Sequence, residues 1–238
     1  MQNVTKDNRM YLSGGGNEKQ SFPLDKFFFE TFSKNGNFLY IPVALRGNKM
    51  YPTAHLWMKK VLKLHNRNDV QFELADNLAK YQLEDLKKFD AIYIGGGNTW
   101  NLMQELRDSG FSQKLVSYIK NGGAVYGGSA GAIILGKNID THDDENKINL
   151  KNTTGFNLLG DYSVACHYTN DQENLFREWA VSHKSPILCL SEETGLIFGN
   201  DSVLCVGTKP CVIYLASGVK KVIQPNAFFC KIKSTRAI

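Results

Sequence analysis

No uninterrupted apolar stretch in the sequence is long enough to span a bilayer, so no membrane-spanning helix is expected. The opening residues, MQNVTKDNRMYLSGGG, lack the apolar run of a secretory signal, and the expected location is the cytoplasm. On that reading the N-x-S/T triplets at Asn3, Asn152 and Asn200 are chance. C-x-x-C pairs are missing as well. The five cysteines, Cys166, Cys189, Cys205, Cys211 and Cys230, are an odd number and sit mostly in apolar segments. They read as buried free thiols in a reducing compartment rather than as disulfides or zinc ligands. The net charge of +5 is carried by scattered lysines, with no basic stripe interleaved with aromatics, and nucleic acid is not an expected partner. There is no repeat and no low-complexity tract.

What remains is an ordinary globular composition, 42% hydrophobic and 21% charged over 238 residues, read as one domain spanning 1–238. Short apolar runs alternate with longer amphipathic ones. MYLSGGG, NFLYIPVAL, VQFEL and AIYIGGG read as strands, and PLDKFFFETFS, TAHLWMKKVLKLH and SQKLVSYIKNGG as helices. Later, DYSVACHYTN, SPILCLSEETGLIF and SVLCVG are strand-like, DQENLFREWAVSH is helical, and the tail from Pro210 reads as a small antiparallel meander. Strands alternating with helices imply an α/β fold with a mostly parallel sheet covered on both faces. Right-handed crossovers then gather the strand C-terminal ends on one rim, where ligands bind.

The segment GGAVYGGSAGAIIL holds one serine among five glycines. Gly127, Ser129 and Gly131 form G-x-S-x-G between a strand and a helix. Small neighbours let strand and helix approach while the serine takes a strained backbone, so Ser129 is a candidate nucleophile. The free N–H groups at the helix start face the serine, and the N–H of Ala130 is a candidate oxyanion donor. The bland alternative is a glycine turn that packs or holds a phosphate. A second turn, YIGGGNTWNLM, offers the N–H of Gly96 or Gly97, with Asn98 or Thr99 as helix cap. It is no Walker loop, because no Lys with Ser or Thr follows, and its spacing fails the dinucleotide fingerprint.

Serine chemistry needs a base and an acid to orient it. Among five histidines, His167 ends a strand-like run and is expected at the active rim. Glu192 and Glu193 follow another apolar run. Asp143 and Asp144 lie in a polar loop downstream of Ser129 and are the rivals, so the acid stays open between the two pairs.

Taken together, GGGNTWNLMQEL, GGAVYGGSAGA, HYTN and LSEETGLIF resemble the peptidase E family of serine peptidases, which contains the aspartyl dipeptidases, from about Tyr11 to about Gly207. The resemblance implies a flavodoxin-like three-layer sandwich related to class I glutamine amidotransferases. It implies Ser129 as nucleophile, His167 as base, Glu192 as the acid with Asp144 as alternative, and Gly97 as the oxyanion glycine. Asn98 follows as a substrate contact. Aspartyl dipeptidases carry an arginine after the histidine segment that holds the substrate's aspartate. Arg177 is the arginine nearest that position, in a segment shorter than the family's. The expected activity is hydrolysis of small peptides, with preference for N-terminal aspartate as the finer expectation, no metal or cofactor, and a homodimer as the assembly. An esterase or amidase using the same triad, or a non-catalytic ligand-binding module, are the competing readings.

Overall fold

The structure, a computed structural model, describes residues 10–200 and 202–230. Two-residue alternation along the strands sets its layers. In β1 (Met10–Ser13), β2 (Asn37–Ile41), β4 (Ala91–Ile94) and β5 (Ala124–Gly128), one set of side chains is aromatic or small and the other aliphatic; β3 (Gln71–Leu74) lies at the edge. Tyr11, Phe38, Tyr40, Tyr93 and Tyr126 share one core with Leu24, Phe28 and Phe29 of α1 (Phe22–Phe29) and Met58, Val61 and Leu62 of α2 (Ala54–Leu64). Leu12, Leu39, Ile41, Ile92, Ile94 and Val125 share the other. That second core includes Leu86 of α3 (Leu83–Leu86), Leu102 and Leu106 of α4 (Thr99–Asp108) and Leu115 of α5 (Phe111–Lys120). Successive side chains of a strand point to opposite faces, so this period of two buries both sides of the sheet. The Tyr93 and Tyr126 rings stack at 4.2 Å, a pairing that contributes about 1 kcal/mol beyond area burial.

The five strands run parallel in the order β1-β5-β4-β2-β3. After β5 the chain enters the short helix α6 (Ala130–Ile133), then a long loop, β6 (Ser163–Ala165), α7 (Glu173–Ser182) and β7 (Ile187–Cys189). The strand-like run SPILCLSEETGLIF does not form one strand. It divides into β7 and β8 (Thr194–Phe198), and the two belong to different sheets. β8 pairs antiparallel with β1 and extends the main sheet through β9 (Ser202–Gly207). β7 joins a four-stranded sheet with β6, β10 (Cys211–Tyr214) and β11 (Lys220–Ile223). The tail also departs from a simple meander: β10 and β11 form a hairpin in the second sheet, while β12 (Phe228–Cys230) returns to β9 as the edge of the first. No helix among the described residues is long and apolar enough to cross a membrane. Cys189, Cys205 and Cys211 are buried free thiols as expected, whereas Cys166 is half-buried and Cys230 exposed.

Candidate active site

Ser129 stands between β5 and α6 with φ 49° and ψ −112°, a backbone conformation that costs a non-glycine residue of order 1–3 kcal/mol. The surrounding glycines permit it. A Cβ on Gly127 would stand 2.4 Å from the Gly131 carbonyl oxygen, and one on Gly131 would stand 2.3 Å from that of Ile94. Strand and helix touch backbone to backbone there. The Ser129 N–H donates to Ser13 O at the end of β1 (3.1 Å), which fixes the elbow to the neighbouring strand.

The Ser129 Oγ lies 2.8 Å from His167 Nε2, and His167 Nδ1 lies 3.0 Å from Glu192 Oε1. A carboxylate accepts only, so Nδ1 carries the proton and Nε2 is free to accept from the serine hydroxyl. His167 follows β6 with φ 55°; its N–H donates to Gly14 O (2.9 Å), and the next N–H, of Tyr168, donates to Leu190 O (3.0 Å). Glu192 sits where the chain crosses from β7 to β8. The bond from His167 first, and one from Gln20 second, hold its carboxyl below the usual carboxylate range. The structure therefore brings Ser129, His167 and Glu192 into one line.

Asp144 lines the same cleft but has other partners. Its Oδ2 accepts from the Thr99 N–H (2.7 Å) at the start of α4 and stands 3.1 Å from His142 Nδ1. Burial pushes its carboxyl up, yet the bonds from His142 and Thr99 outweigh that and the net direction is down. His142 is packed against Trp100 with its side chain only 8% exposed. Glu193, the neighbour of Glu192, pairs instead with Lys209 at 3.1 Å.

The glycine turn abuts the serine: a Cβ on Gly96 would stand 3.1 Å from Ser129 Cβ. Neither the Gly97 N–H nor the Ala130 N–H has an acceptor among the described residues, whereas the Asn98 N–H is taken by Ala44 O (2.9 Å). Asn98 caps α4 through Oδ1 to the Asn101 N–H and donates from Nδ2 to Glu145 O (3.0 Å), so its amide is occupied. Around Ser129 and His167 opens a cleft of about 1110 Å³, and Arg46 and Lys147 are the lysine and arginine side chains on its wall among the described residues. Arg177 is not brought there. Gln172, just before α7, and Leu175, Phe176 and Trp179 on it line the cleft, while Arg177 pairs with Glu173 one turn back and lies over the Tyr214 ring.

Sequence reasoning missed three contributors. Arg46 follows the turn after β2 and pairs with Glu105 at 2.7 Å. Cys166 lies under the serine, its Sγ 3.6 Å from Ser129 O, and burial pushes its thiol up, which keeps it protonated and unreactive. Gln20 touches Glu192 from a loop that carries no recognisable pattern beyond its glycines.

A strained serine between strand and helix, with histidine and glutamate in line, on a parallel sheet covered by helices, defines a nucleophile-elbow α/β protein. Residues 10–206 match peptidase family S51, and the chain belongs to that family. An uncharacterized peptidase of Listeria monocytogenes is 42% identical over 89 residues, 36% of this chain and 43% of that protein. Peptidase E of Shewanella denitrificans is 27% identical over 197 residues, 76% of this chain and 80% of that protein. Against three relatives of 34% to 42% identity the chain spans about half of their length, 43% to 55%. The crystal structure of a Listeria monocytogenes protein described as peptidase E superposes with a TM-score of 0.66 at 23% identity, covering 84% of this chain and 98% of that one. That likeness shows the flavodoxin-like fold.

Proposed function

We propose that the protein is a serine peptidase that hydrolyses small peptides. The observation that carries this reading is the relay Ser129–His167–Glu192, with contacts of 2.8 and 3.0 Å at the edge of an open cleft. Ser129 Oγ attacks the scissile carbonyl while His167 Nε2 takes its proton. The same proton then passes to the leaving amine, and water repeats the cycle on the acyl-enzyme. Glu192 keeps the proton of the resting imidazole on Nδ1 and stabilises the imidazolium. The unengaged N–H groups of Gly97 and Ala130 serve the oxyanion. The names of the peptidase E relatives support a peptide substrate. Free thiols at all five cysteines support a reducing, cytoplasmic setting.

Preference for N-terminal aspartate requires a cation facing the cleft, and Arg46 is the guanidinium on that wall. The test is cleavage of a dipeptide library by wild type and Ser129→Ala, read by mass spectrometry. Serine-dependent cleavage is the expected outcome, confined to aspartyl peptides if the finer preference holds. Cleavage that persists in Ser129→Ala would overturn the assignment.

A further inference from the structure

We propose that Gln20 is a positioning residue of the serine site, holding the Glu192 carboxylate in the orientation that serves His167. The inference rests on the Ser129–His167–Glu192 reading and adds a fourth side chain to it. Glu192 has two carboxylate oxygens with separate partners: Oε1 accepts from His167 Nδ1 at 3.0 Å, and Oε2 accepts from Gln20 Nε2 at 2.7 Å. The Glu192 side chain is 40% exposed, and a glutamate so open to water loses rotamer freedom when held in one pose. A second anchor lowers the population of the competing poses. The other charges nearby are committed elsewhere. Lys209 pairs with Glu193 at 3.1 Å and acts on Glu192 only through its field, and Glu18, in the Gln20 loop, pairs with Lys60 of α2 at 2.5 Å.

Gln20 is itself fixed. Its Oε1 accepts from the Asn17 N–H (2.9 Å), which assigns the amide nitrogen to the Glu192 side. The Gln20 N–H donates to Asn17 O (3.0 Å), closing the turn that leads into α1. The backbone of the same loop underlies the other two contacts. A Cβ on Gly16 would stand 2.9 Å from Glu192 Cβ, and one on Gly15 would stand 2.3 Å from His167 Cε1. The residue type fits the task. A neutral amide satisfies the second oxygen without adding a full positive charge beside the imidazole, as an arginine would, and so leaves the base its strength.

The experiment compares the wild type with Gln20→Met and Gln20→Glu. Methionine keeps the length and removes the amide. Glutamate keeps the shape and the acceptor for Asn17, and turns the donor into a second carboxylate oxygen facing Glu192. Two readouts are taken: kcat and KM on whichever dipeptide the wild type cleaves, and the 15N NMR shifts of His167, which report the tautomer without any substrate. Loss of one hydrogen bond to a charged group predicts that Gln20→Met lowers kcat by roughly tenfold with KM nearly unchanged. Gln20→Glu lowers kcat further, by roughly 100-fold, because like charges meet. In both variants His167 shifts population from the Nδ1–H to the Nε2–H tautomer. A merely structural Gln20 gives the reverse ranking, with the isosteric glutamate harmless. Wild-type kcat and tautomer in Gln20→Glu overturn the proposal, and this variant carries the test alone if Gln20→Met does not fold. Should the wild type cleave no peptide, the activity reading fails on its own, while the His167 tautomer still decides the role of Gln20.

Discussion

A carboxylate oxygen committed to a helix N-terminus is held away from any imidazole it does not already touch. Asp144 Oδ2 receives the Thr99 N–H at 2.7 Å. Asp144→Asn is therefore expected to leave kcat within about threefold while loosening the start of α4, with a stability loss of about 1 kcal/mol, the usual scale for a lost cap. Glu192→Gln reverses the pattern. The amide can still occupy the site but presents a poorer acceptor to Nδ1–H, and kcat is expected to fall by roughly 10³-fold with the melting temperature little changed. Steady-state kinetics beside thermal melts separates the two. Ser129 and His167 were legible as candidates because a glycine-framed serine and a histidine closing an apolar run are local patterns. Gln20 was not. It meets a partner 172 residues away, and nothing in its own neighbourhood marks that contact.

At the level of elements, the elbow and α7 each carry a prediction. The β5–α6 junction works only if two backbones can touch, and a Cβ on Gly131 would collide with the Ile94 carbonyl at 2.3 Å. Gly131→Ala is expected to cost about 1–3 kcal/mol, as overpacking does, and to abolish labelling of Ser129 by a fluorophosphonate even in the folded fraction. Full labelling at wild-type rate would show that the junction tolerates displacement. Helix α7 divides its charges by face. Arg177 and Glu173 form a half-exposed i,i+4 pair that also engages Lys220, away from the cleft. Exposed pairs contribute little, so Arg177→Ala is expected to keep kcat/KM within about twofold on every peptide tested. Arg46→Ala is the contrasting variant, expected to raise KM for peptides with an acidic residue. The arginine nearest in sequence to the histidine segment is thus separated from the cleft by helical rotation alone.

The whole molecule carries a buried acid and a buried base under its aromatic layer. Asp25 is fully buried, accepting from Tyr126 Oη (2.6 Å) and Ser21 Oγ (2.7 Å), and His65 Nε2 lies 3.9 Å from it without a hydrogen-bond partner. Burial pushes Asp25 up to about 7 and His65 down to about 4. The unfolded values are about 3.9 and 6.5. The raised Asp25 contributes stability that is full below about pH 4 and lost as pH rises to about 7. The lowered His65 contributes stability that is full above about pH 6.5 and lost as pH falls to about 4. Between those limits the two slopes oppose each other and the pair leaves the wild type nearly flat. His65→Phe should unmask Asp25, so that the melting temperature falls with rising pH across the window. Asp25→Asn should unmask His65 and give the opposite slope. Melts across that range check both signs, and parallel flat profiles would show that neither group titrates as described.

The sequence by itself determined the layers, the elbow and the candidate serine and histidine. Those follow from periods of two and 3.6 residues and from glycine's small size, which act between near neighbours. The α/β class was legible for the same reason, and the family through the resemblance of GGGNTWNLMQEL, GGAVYGGSAGA, HYTN and LSEETGLIF to its motifs. Only the tertiary structure put Glu192, and not Asp144, beside His167, separated β7 from β8, sent β12 back to β9, turned Arg177 from the cleft and brought Gln20 to the carboxylate. Each of these depends on which distant strands pair and which way a helix is rotated. Those choices are set by the packing of the whole core, and no short window of sequence contains them.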